Sequence, residues 1–306
     1  MIKVFIDGRE GTTGLQIDGR LKERKDIELI RLSEELRKDP SARKDAINQS
    51  AVTFLCLPDA AAQEAVLLVE NPQTVVIDAS TAHRTKEGWA YGLPELSKAH
   101  RSAIATSKRI ANPGCYASGF IALVYPLVEA GVLPRDYPFV CHAVSGYSGG
   151  GKKTIASYES EGRDPSFVTP RIYALGLEHK HLPEMKKVCS LSRTPVFNPY
   201  VCDYYSGMSV SVPLFCDFLK EGTTKERVEA VYKEHYAGSP FIKLEQETGF
   251  IGANALVGTN KMAIFVNGNS ERILLTATFD NLGKGASGAA VQNMNIALGL
   301  DEKLGL

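Results

Sequence analysis

The sequence predicts an α/β protein with two domains, a parallel-sheet domain of Rossmann type followed by an α+β domain. Three observations carry this prediction. Short apolar segments alternate with helical segments in the first third of the chain, a glycine-rich turn follows the first of them, and the middle of the chain contains longer strand-like segments. Short buried strands alternating with helices are typical of a parallel sheet with helices on both faces.

The elements of the first domain follow one another as a Rossmann-type fold requires. Apolar runs predict strands at residues 2–7, 27–32, 51–57 and 75–79. Helical spacing predicts helices at residues 15–24 and 60–70, and Asp59 is placed to cap the second of these helices.

The second domain is predicted from strands that alternate in polarity, as in Ser209-Val210-Ser211-Val212. Strands are expected at residues 139–145, 196–201, 208–218 and 272–279, and helices at 117–128 and 224–236. Alternation indicates a mainly antiparallel sheet. A last helix at 287–300 would pack back on the first domain, so the predicted domains are residues 1–114 with 283–306, and residues 115–282.

Composition excludes some classes of partner. The 306 residues include 35 Lys+Arg and 35 Asp+Glu, so no global charge favours nucleic acid or membrane, although local sites for a small anion remain open. Six scattered cysteines without a CxxC pair favour free thiols in a reducing compartment. The first residues enter a strand directly and no apolar run has membrane-spanning length, so we expect a cytoplasmic protein without a signal peptide.

The turn after the first strand, Asp7 to Gly14, has the spacing GxxGxxG. Glycines permit a tight turn and close backbone approach, and the following helix N-terminus favours a diphosphate, so the turn predicts dinucleotide binding. An ordinary strand-to-helix turn is the alternative. The second strand ends with Arg31-Leu32-Ser33 and not with an acidic residue that would bind the ribose 2′-hydroxyl of NAD. This favours NADP, with Arg31 or Ser33 contacting its 2′-phosphate.

Cys115 follows Asn112-Pro113-Gly114 and precedes Tyr116 and the helical run 117–128. A thiol at a helix N-terminus is shifted toward thiolate, the nucleophilic form, by the helix dipole. Cys115 is therefore a candidate for covalent catalysis. An inert cysteine at a helix start is the alternative.

Three further segments attract attention. The loop from Val144 to Lys153 combines glycines with two lysines, which favours either an anion-binding nest or a solvated loop.

The cluster His179-Lys180-His181-Leu182-Pro183-Glu184 fits a general acid/base, and Pro183 is suited to the first turn of a helix. A zinc site and ordinary structural histidines are the alternatives. The run Asn281 to Gly288 indicates close approach of backbone or cofactor, or a plain turn.

These motifs resemble the N-acetyl-gamma-glutamyl-phosphate reductases of the shorter size class. The resemblance rests on Asn112-Pro-Gly-Cys115-Tyr, Ser145-Gly-x-Ser-Gly, His179-x-His181-x-x-Glu184 and the run 280–295, and it covers essentially the whole chain. It implies a semialdehyde-dehydrogenase-like fold and NADP-dependent reductive dephosphorylation of N-acetyl-L-glutamyl 5-phosphate to N-acetyl-L-glutamate 5-semialdehyde through a cysteine thioester. It also implies a place in arginine biosynthesis, phosphate as the co-product and a homodimer or homotetramer.

The resemblance also implies site residues. The catalytic residues are Cys115 as nucleophile and His179 or His181 as acid/base, with His179 favoured, and Tyr173 and Glu184 nearby. The cofactor-binding residues are Gly8, Gly11, Thr12, Thr13, Gly14, Arg31, Ser33, Ser80, Asn281 and Lys284. The substrate- or phosphate-binding residues are Asn112, Arg109, Ser145, Gly146, Ser148 and Lys152. No metal is expected.

The sequence departs from the family in one segment and leaves rival functions open. The family more often has an acidic-aromatic pair where this chain has Ala82-His83 before Arg84. Aspartate-semialdehyde dehydrogenases share the overall plan, but their cysteine motif usually lacks the preceding Pro-Gly and the following Tyr. An NADP-binding redox sensor, with Cys115 as its switch, is a rival of another class, and a metal-binding module built on the two histidines is a third.

Overall fold

The computed structural model describes residues 1–246 and 249–306 and divides the chain into two compact units. Unit 1 comprises Met1–Gly114 and Ala286–Leu306, and unit 2 comprises Cys115–Gly285. No helix in the described ranges is long and apolar enough to cross a membrane.

Unit 1 contains a six-stranded sheet with the strand order β2-β1-β3-β4-β6-β5, in which neighbouring strands run parallel. The strands are β1 (Ile2–Asp7), β2 (Ile27–Ile30), β3 (Val52–Leu55), β4 (Val75–Asp78), β5 (Ala90–Tyr91) and β6 (Arg109–Ala111). The helices between them are α1 (Thr12–Leu21), α2 (Pro40–Gln49), α3 (Asp59–Leu67) and α4 (Lys98–Thr106). The predicted fold class is confirmed.

The apolar strands of unit 1 are explained by burial on both faces of the sheet. On one face Val4 and Val52, which are paired in the register of β1 and β3, pack with Ile17 of α1. On the other face Phe5 packs against Ala46 and Ile47 of α2. A strand covered on both sides gains from apolar residues at successive positions, which is why these strands lack alternation.

The predicted N-cap role of Asp59 is wrong. The cap position of α3 is Pro58, and Asp59 is the first helical residue. Its carboxylate instead accepts hydrogen bonds from the backbone N–H of Thr81, at 2.9 Å, and from the Thr81 hydroxyl. An acidic residue in the first turn also interacts favourably with the helix dipole, so the position is still suited to aspartate.

Unit 2 contains a seven-stranded sheet with the order β11-β12-β13-β10-β7-β9-β8. The strands are β7 (Val140–Gly146), β8 (Arg171–Ile172), β9 (Val196–Cys202), β10 (Met208–Phe215), β11 (Ile242–Leu244), β12 (Met262–Gly268) and β13 (Arg272–Phe279). The helices are α5 (Cys115–Glu129), α6 (Gly151–Glu159), α7 (Leu182–Val188) and α8 (Lys225–His235). Most pairs are antiparallel, as predicted, but β7 pairs with β9 and β11 with β12 in parallel.

Helix α5 contains a proline whose structural cost is offset by α8. Pro126 lacks an N–H, so the carbonyl of Ala122 one turn earlier has no helical donor. The hydroxyl of Tyr236, the residue after α8, donates to this carbonyl at 2.7 Å, and the hydroxyl of Tyr232 donates to the carbonyl of Leu123 at 2.5 Å. Two buried phenols of one helix therefore satisfy the backbone of the other.

The last helix, α9 (Gly288–Ala297), returns to unit 1. Its Val291 and Met294 are fully buried in the same core cluster as Val4 and Ile17. A π-helical turn, Gly283–Ser287, precedes α9, and the boundary between the units lies inside that turn, between Gly285 and Ala286.

Candidate active site

Cys115 is the first residue of α5 and lines a cavity of about 510 Å³ in unit 2. The same cavity is lined by side chains and backbone from α5, β7, the start of α6, β8 and β9 and the loop after β8. They are Tyr116, Ser145, Gly146, Gly149, Gly150, Thr154, Arg171, Ile172, Tyr173, His179, Lys180 and Val201. The thiol at the helix N-terminus thus faces open space in which a small substrate can sit.

Two glycines allow α5 to lie where it does. A Cβ at Gly285 would stand 3.0 Å from the Cβ of Cys115, so a larger residue would crowd the thiol. One turn into the helix, a Cβ at Gly119 would stand 2.7 Å from a methyl of Val210 on β10. The glycine run predicted to permit close approach therefore makes room, at Gly285, for the residue that bears the candidate nucleophile.

The other thiols are in different environments. The described cysteines are all free, and Cys141 and Cys189 are buried. Burial raises the pKa of the Cys141 and Cys189 thiols well above the ordinary value and raises the pKa of Cys56 to about 12. These three thiols stay protonated near neutral pH and are poor nucleophiles, unlike a partly exposed thiol at a helix start.

The structure separates the two candidate histidines. His179 lines the cavity, whereas His181 is 4% exposed and occupies the cap position before α7. The backbone N–H of His181 donates to Nδ1 of His179 at 3.2 Å. A neutral His179 therefore carries its proton on Nε2, which makes that nitrogen a proton donor.

Tyr173 and Glu184 differ as the two histidines do, since Tyr173 lines the cavity and Glu184 does not. Tyr173 lines the cavity, and its ring centroid lies 5.8 Å from that of His179. Burial raises the pKa of Tyr173 and of Tyr116, so both phenols stay neutral. Glu184 is 1% exposed in the first turn of α7, after Pro183, and is not among the residues that line the cavity.

The end of β7 reaches the cavity through Ser145 and Gly146, and the loop that follows reaches it through Gly149 and Gly150. Ser148 is buried and its hydroxyl accepts a hydrogen bond from Nδ2 of Asn281 at 3.0 Å. The other end of that amide, Oδ1, accepts from the backbone N–H of Gly207 at 2.7 Å. Asn281 thus ties two loops of unit 2 together, and Ser148 supports the loop from behind rather than lining the cavity.

Asn281 and Lys284, which are predicted to contact the cofactor, are buried in unit 2. The amide of Asn281 is engaged at both ends within unit 2. Lys284 is fully buried, and its Nζ lies 5.6 Å from the ring centroid of Phe241. The sequence pattern located a constrained turn, and the cofactor contacts of the two residues stay predictions.

Two predicted phosphate-binding cations are displaced from the cavity. Lys152 is exposed on α6 and does not line it. Arg109 is at the amino end of β6, whereas the glycine-rich turn follows the carboxyl end of the parallel strand β1. Nη1 of Arg109 donates to the carbonyls of Lys108, at 2.8 Å, and Thr74. The cations that do line the cavity are Arg171 and Lys180.

Sequence reasoning missed these two cations for different reasons. Lys180 lies between the two histidines of the motif, so the motif itself contained the signal. Arg171 follows Pro170 on a two-residue strand and has no local pattern around it. Only the pairing of β8 with β9 brings it beside the residues at the start of α5.

The glycine-rich turn of unit 1 borders a second cavity, of about 320 Å³. Gly8 has φ +80°, and a Cβ there would lie 2.4 Å from the carbonyl oxygen of Cys56. A Cβ at Gly14 would lie 2.6 Å from the carbonyl oxygen of Gly8. Both positions therefore require glycine, and the backbone forms an open cradle in front of α1.

The start of α1 fits a bound diphosphate. The cap residue Gly11 has no side chain to accept from the first turn, so the N–H groups of Thr12 and Thr13 have no side-chain cap and are available to an anion. The hydroxyl Oγ1 of Thr12 is buried and has no hydrogen-bond partner among the described residues. A buried hydroxyl left in this state fits a donor to a phosphate oxygen.

The far side of this cavity is basic. Arg31, Arg37, Lys38 and Arg43 line it. Arg31 pairs with Asp18 at 3.1 Å, Arg43 with Asp7 at 2.8 Å, and Arg37 with Glu34 at 3.0 Å. Lys38 has no ion-pair partner within residues 1–246 and 249–306.

Ser33, the other residue predicted to contact the ribose 2′-phosphate, is exposed and does not line this cavity. Its hydroxyl accepts a hydrogen bond from the backbone N–H of Leu36 at 3.4 Å. It therefore shapes the turn that carries Arg37 and Lys38.

A buried polar network orders the loop before Cys115. Asp78 at the end of β4 accepts from the hydroxyl of Ser80 at 2.7 Å and lies 2.6 Å from Nδ1 of His83, whose ring stacks on Trp89. Arg84 donates to the carbonyl of Asn112 at 3.0 Å. His83, the residue that departs from the family, thus has a structural partner, and Ser80 is engaged with Asp78.

Asn112 is buried within unit 1. Its Nδ2 donates to the carbonyl of Ala286 at 3.0 Å, and its Oδ1 accepts from Nδ2 of Asn293 at 3.1 Å. These hydrogen bonds fix the Asn112-Pro113-Gly114 loop, and the contact of Asn112 with substrate stays a prediction.

Comparison with known proteins agrees with this geometry. The family model described as "Semialdehyde dehydrogenase, NAD binding domain" matches residues 8–105, and "Semialdehyde dehydrogenase, dimerisation domain" matches residues 115–281. Among solved structures, aspartate semialdehyde dehydrogenase II from Vibrio cholerae has a TM-score of 0.75 over 97% of this chain and 98% of that chain. Its 17% identity supports the fold alone.

Curated relatives are much closer in sequence. N-acetyl-gamma-glutamyl-phosphate reductase from Burkholderia cenocepacia is 47% identical over 97% of both chains. N-acetyl-gamma-glutamyl-phosphate reductase 2 from Pseudomonas putida is 48% identical over 97% of this chain and 96% of that protein, and the Trichormus variabilis reductase is 46% identical over 99% of both. The chain therefore belongs to the N-acetyl-gamma-glutamyl-phosphate reductases, within the semialdehyde dehydrogenase family.

Proposed function

We propose that the chain catalyses the NADP-dependent reductive dephosphorylation of N-acetyl-L-glutamyl 5-phosphate to N-acetyl-L-glutamate 5-semialdehyde, a step of arginine biosynthesis. The observation that carries the proposal is the cavity that Cys115 and His179 share, in a chain that is 46–48% identical to named reductases. A thiol and a proton donor are the two groups that reduction of an acyl phosphate through a thioester needs.

The first half of the reaction belongs to Cys115. Its thiolate attacks the acyl-phosphate carbonyl, the bond from that carbon to the phosphate oxygen breaks, and inorganic phosphate leaves with the bonding electron pair. A thioester to Cys115 remains. The helix dipole of α5 and the open cavity favour the thiolate that this step consumes.

The second half belongs to His179. NADPH, when bound, supplies the hydride that reduces the thioester. The carbonyl oxygen gains negative charge as the hydride arrives, and Nε2–H of His179 donates a hydrogen bond to it. When the carbon–sulfur bond breaks, this oxygen becomes the aldehyde carbonyl oxygen, and the bonding electrons restore the Cys115 thiolate.

The glycine-rich turn and Thr12 are proposed to hold the diphosphate of the cofactor, because they form the cradle and leave a buried hydroxyl available. Arg31 and Lys38 are proposed to hold the 2′-phosphate that distinguishes NADP from NAD, because both line the same cavity. The departing phosphate is assigned to the backbone N–H groups at Gly149 and Gly150, which lie in the lining beside Cys115.

We propose a homo-oligomer and a cytoplasmic location. Support for the first is the matched dimerisation domain together with exposed apolar side chains on the unit 2 sheet, Phe215 at 58% and Leu274 at 41%. The cytoplasmic location is supported by two points: the mechanism needs Cys115 in its reduced form, and the described cysteines are free thiols.

The test is absorbance at the nicotinamide band with the N-acetylated semialdehyde, NADP and phosphate. We expect NADPH to form only when all three are present. Aspartate semialdehyde at the same concentrations is the matched rival substrate, and faster turnover with it would contradict the proposal. Binding of NADP without turnover of either aldehyde would favour the redox sensor instead.

A further inference from the structure

The guanidinium of Arg171 is fixed beside the Cys115 cavity, which indicates a role in substrate binding. Nε and Nη2 donate to the hydroxyl of Tyr158 at 3.2 and 2.9 Å, and the guanidinium carbon lies 3.7 Å from the ring centroid of Phe167. Tyr158 is itself 2% exposed. A buried phenol and an aromatic face therefore hold the side chain in one orientation before any ligand binds.

The charge of Arg171 is not neutralised by the protein. No carboxylate oxygen lies within 4.0 Å of the guanidinium in the described part of the chain, and no hydrogen bond there involves Nη1. Asp164 feels the charge, but its carboxylate accepts from the backbone N–H of Ser166 at 2.8 Å, the main reason its pKa is lowered. An unpaired cation that lines a cavity favours an anionic ligand.

We propose that Arg171 binds the α-carboxylate of the N-acetylglutamyl substrate. This inference rests on the proposed function, which gives the substrate two anionic ends. The planar guanidinium matches a carboxylate in geometry, whereas Lys180, the other cation of the lining, is a mobile point charge.

The order of the reaction separates the two anions. The phosphate must leave once the thioester has formed, so its site has to release it. The α-carboxylate stays attached through both halves of the reaction, so a rigid partner for it keeps the carbonyl in place beside Cys115. The immobilised Arg171 is suited to hold the α-carboxylate, and the Gly149-Gly150 backbone is suited to bind and release the phosphate.

Steady-state kinetics in the direction of semialdehyde oxidation tests the assignment. For Arg171→Met we expect the KM for N-acetyl-L-glutamate 5-semialdehyde to rise about 10- to 100-fold, the range for one lost charged hydrogen bond, and the KM for phosphate to stay within about twofold. Arg171→Lys should lie between. With 4-acetamidobutanal, which lacks the α-carboxylate, wild type and Arg171→Met should have equal kcat/KM.

Lys233→Met is the control, because it removes a positive charge from an exposed residue of α8 outside the lining and should leave both KM values unchanged. Tyr158→Phe removes the hydroxyl that orients Arg171 and should raise the semialdehyde KM by less than Arg171→Met does. Circular dichroism establishes that each variant is folded. A rise in the phosphate KM with no rise in the semialdehyde KM would overturn the proposal.

Calorimetry separates this inference from the proposed function. Wild type should bind N-acetyl-L-glutamate more tightly than 4-acetamidobutanoate, and Arg171→Met should lose that preference. If wild type turns over no semialdehyde, the proposed function fails, but the preference still decides whether Arg171 binds a carboxylate. A preference unchanged in Arg171→Met would refute the role of Arg171 even in an active enzyme.

Discussion

The two cavities of this protein are built in opposite ways. The cavity of unit 1 is bordered by a turn whose shape depends on glycine, since a Cβ at Gly8 or Gly14 would meet the backbone. The cavity of unit 2 depends on side chains from separate segments, represented by Cys115, Ser145, Arg171 and His179. A site made by backbone should be sensitive to an added methyl group, whereas a site made by side chains should be sensitive to the loss of a functional group.

The largest expected effect tests the side-chain site. Cys115→Ala should lower kcat by about 10⁴-fold or more, since it removes the group that forms the covalent bond. NADP affinity, measured by calorimetry, should be unchanged because the glycine-rich turn is intact. Cys216→Ala is the control: Cys216 also begins a short helical turn but does not line the cavity. Substantial turnover by Cys115→Ala would exclude the thioester.

The next effect separates the two histidines of unit 2. His179→Asn should lower kcat by about 10²- to 10³-fold with little change in KM, because a proton donor acts in the transition state. His181→Asn should mainly lower stability, since His181 is buried at the start of α7. Rates and thermal unfolding midpoints of both variants decide the matter. A larger kcat loss for His181→Asn would reverse the assignment.

The third effect tests the backbone site. Gly8→Ala should weaken NADP binding by about 10- to 100-fold, because the new methyl group would meet the Cys56 carbonyl at 2.4 Å and displace the turn. Gly88→Ala is matched to it, with φ +79° but nothing within 4 Å of the added Cβ. Gly88→Ala should therefore cost some stability and no affinity. Equal NADP affinities for the two variants would contradict the role of the turn.

The smallest effect concerns a side chain at the backbone site. Lys38→Met should weaken binding of 2′,5′-ADP by about three- to tenfold and leave 5′-ADP unaffected, because a partly screened charge contributes about 1 kcal/mol. Lys22→Met, at an exposed lysine outside the cavity, is the control. Fluorescence titration measures all three proteins. Equal losses for both nucleotides would show that Lys38 does not read the 2′-phosphate.

The contrast between a site formed by one local turn and a site formed by distant side chains also explains which parts of the structure the sequence could predict. Local patterns were enough for the glycine-rich turn, for α5 with Cys115 at its start and for β13, whose predicted bounds match the structure. Helix α4 was not predicted, and Ile104 is the one residue of it that is buried. Strand β5 has two residues, too few for any pattern.

Within the active site, the sequence could not show a role that depends on distant neighbours. Arg171 reaches the cavity only through the pairing of β8 with β9, which no local spacing encodes. A local pattern located the constrained turn at Asn281 and Lys284, but burial decides what their side chains contact. Arg109 is close to Cys115 in the sequence, but it is the first residue of β6 and does not line the cavity.

The position of α9 has a consequence for synthesis on the ribosome. Unit 2 is continuous in the chain, so all of its residues are available before α9 emerges. The strands of unit 1 are made first, yet the core that contains Val4, Ile17 and Ile77 also needs Val291 and Met294 from α9. The N-terminal sheet must therefore wait, with an apolar face uncovered, until nearly the whole polypeptide has been translated. Nascent chains halted before α9 should be the forms most dependent on chaperones.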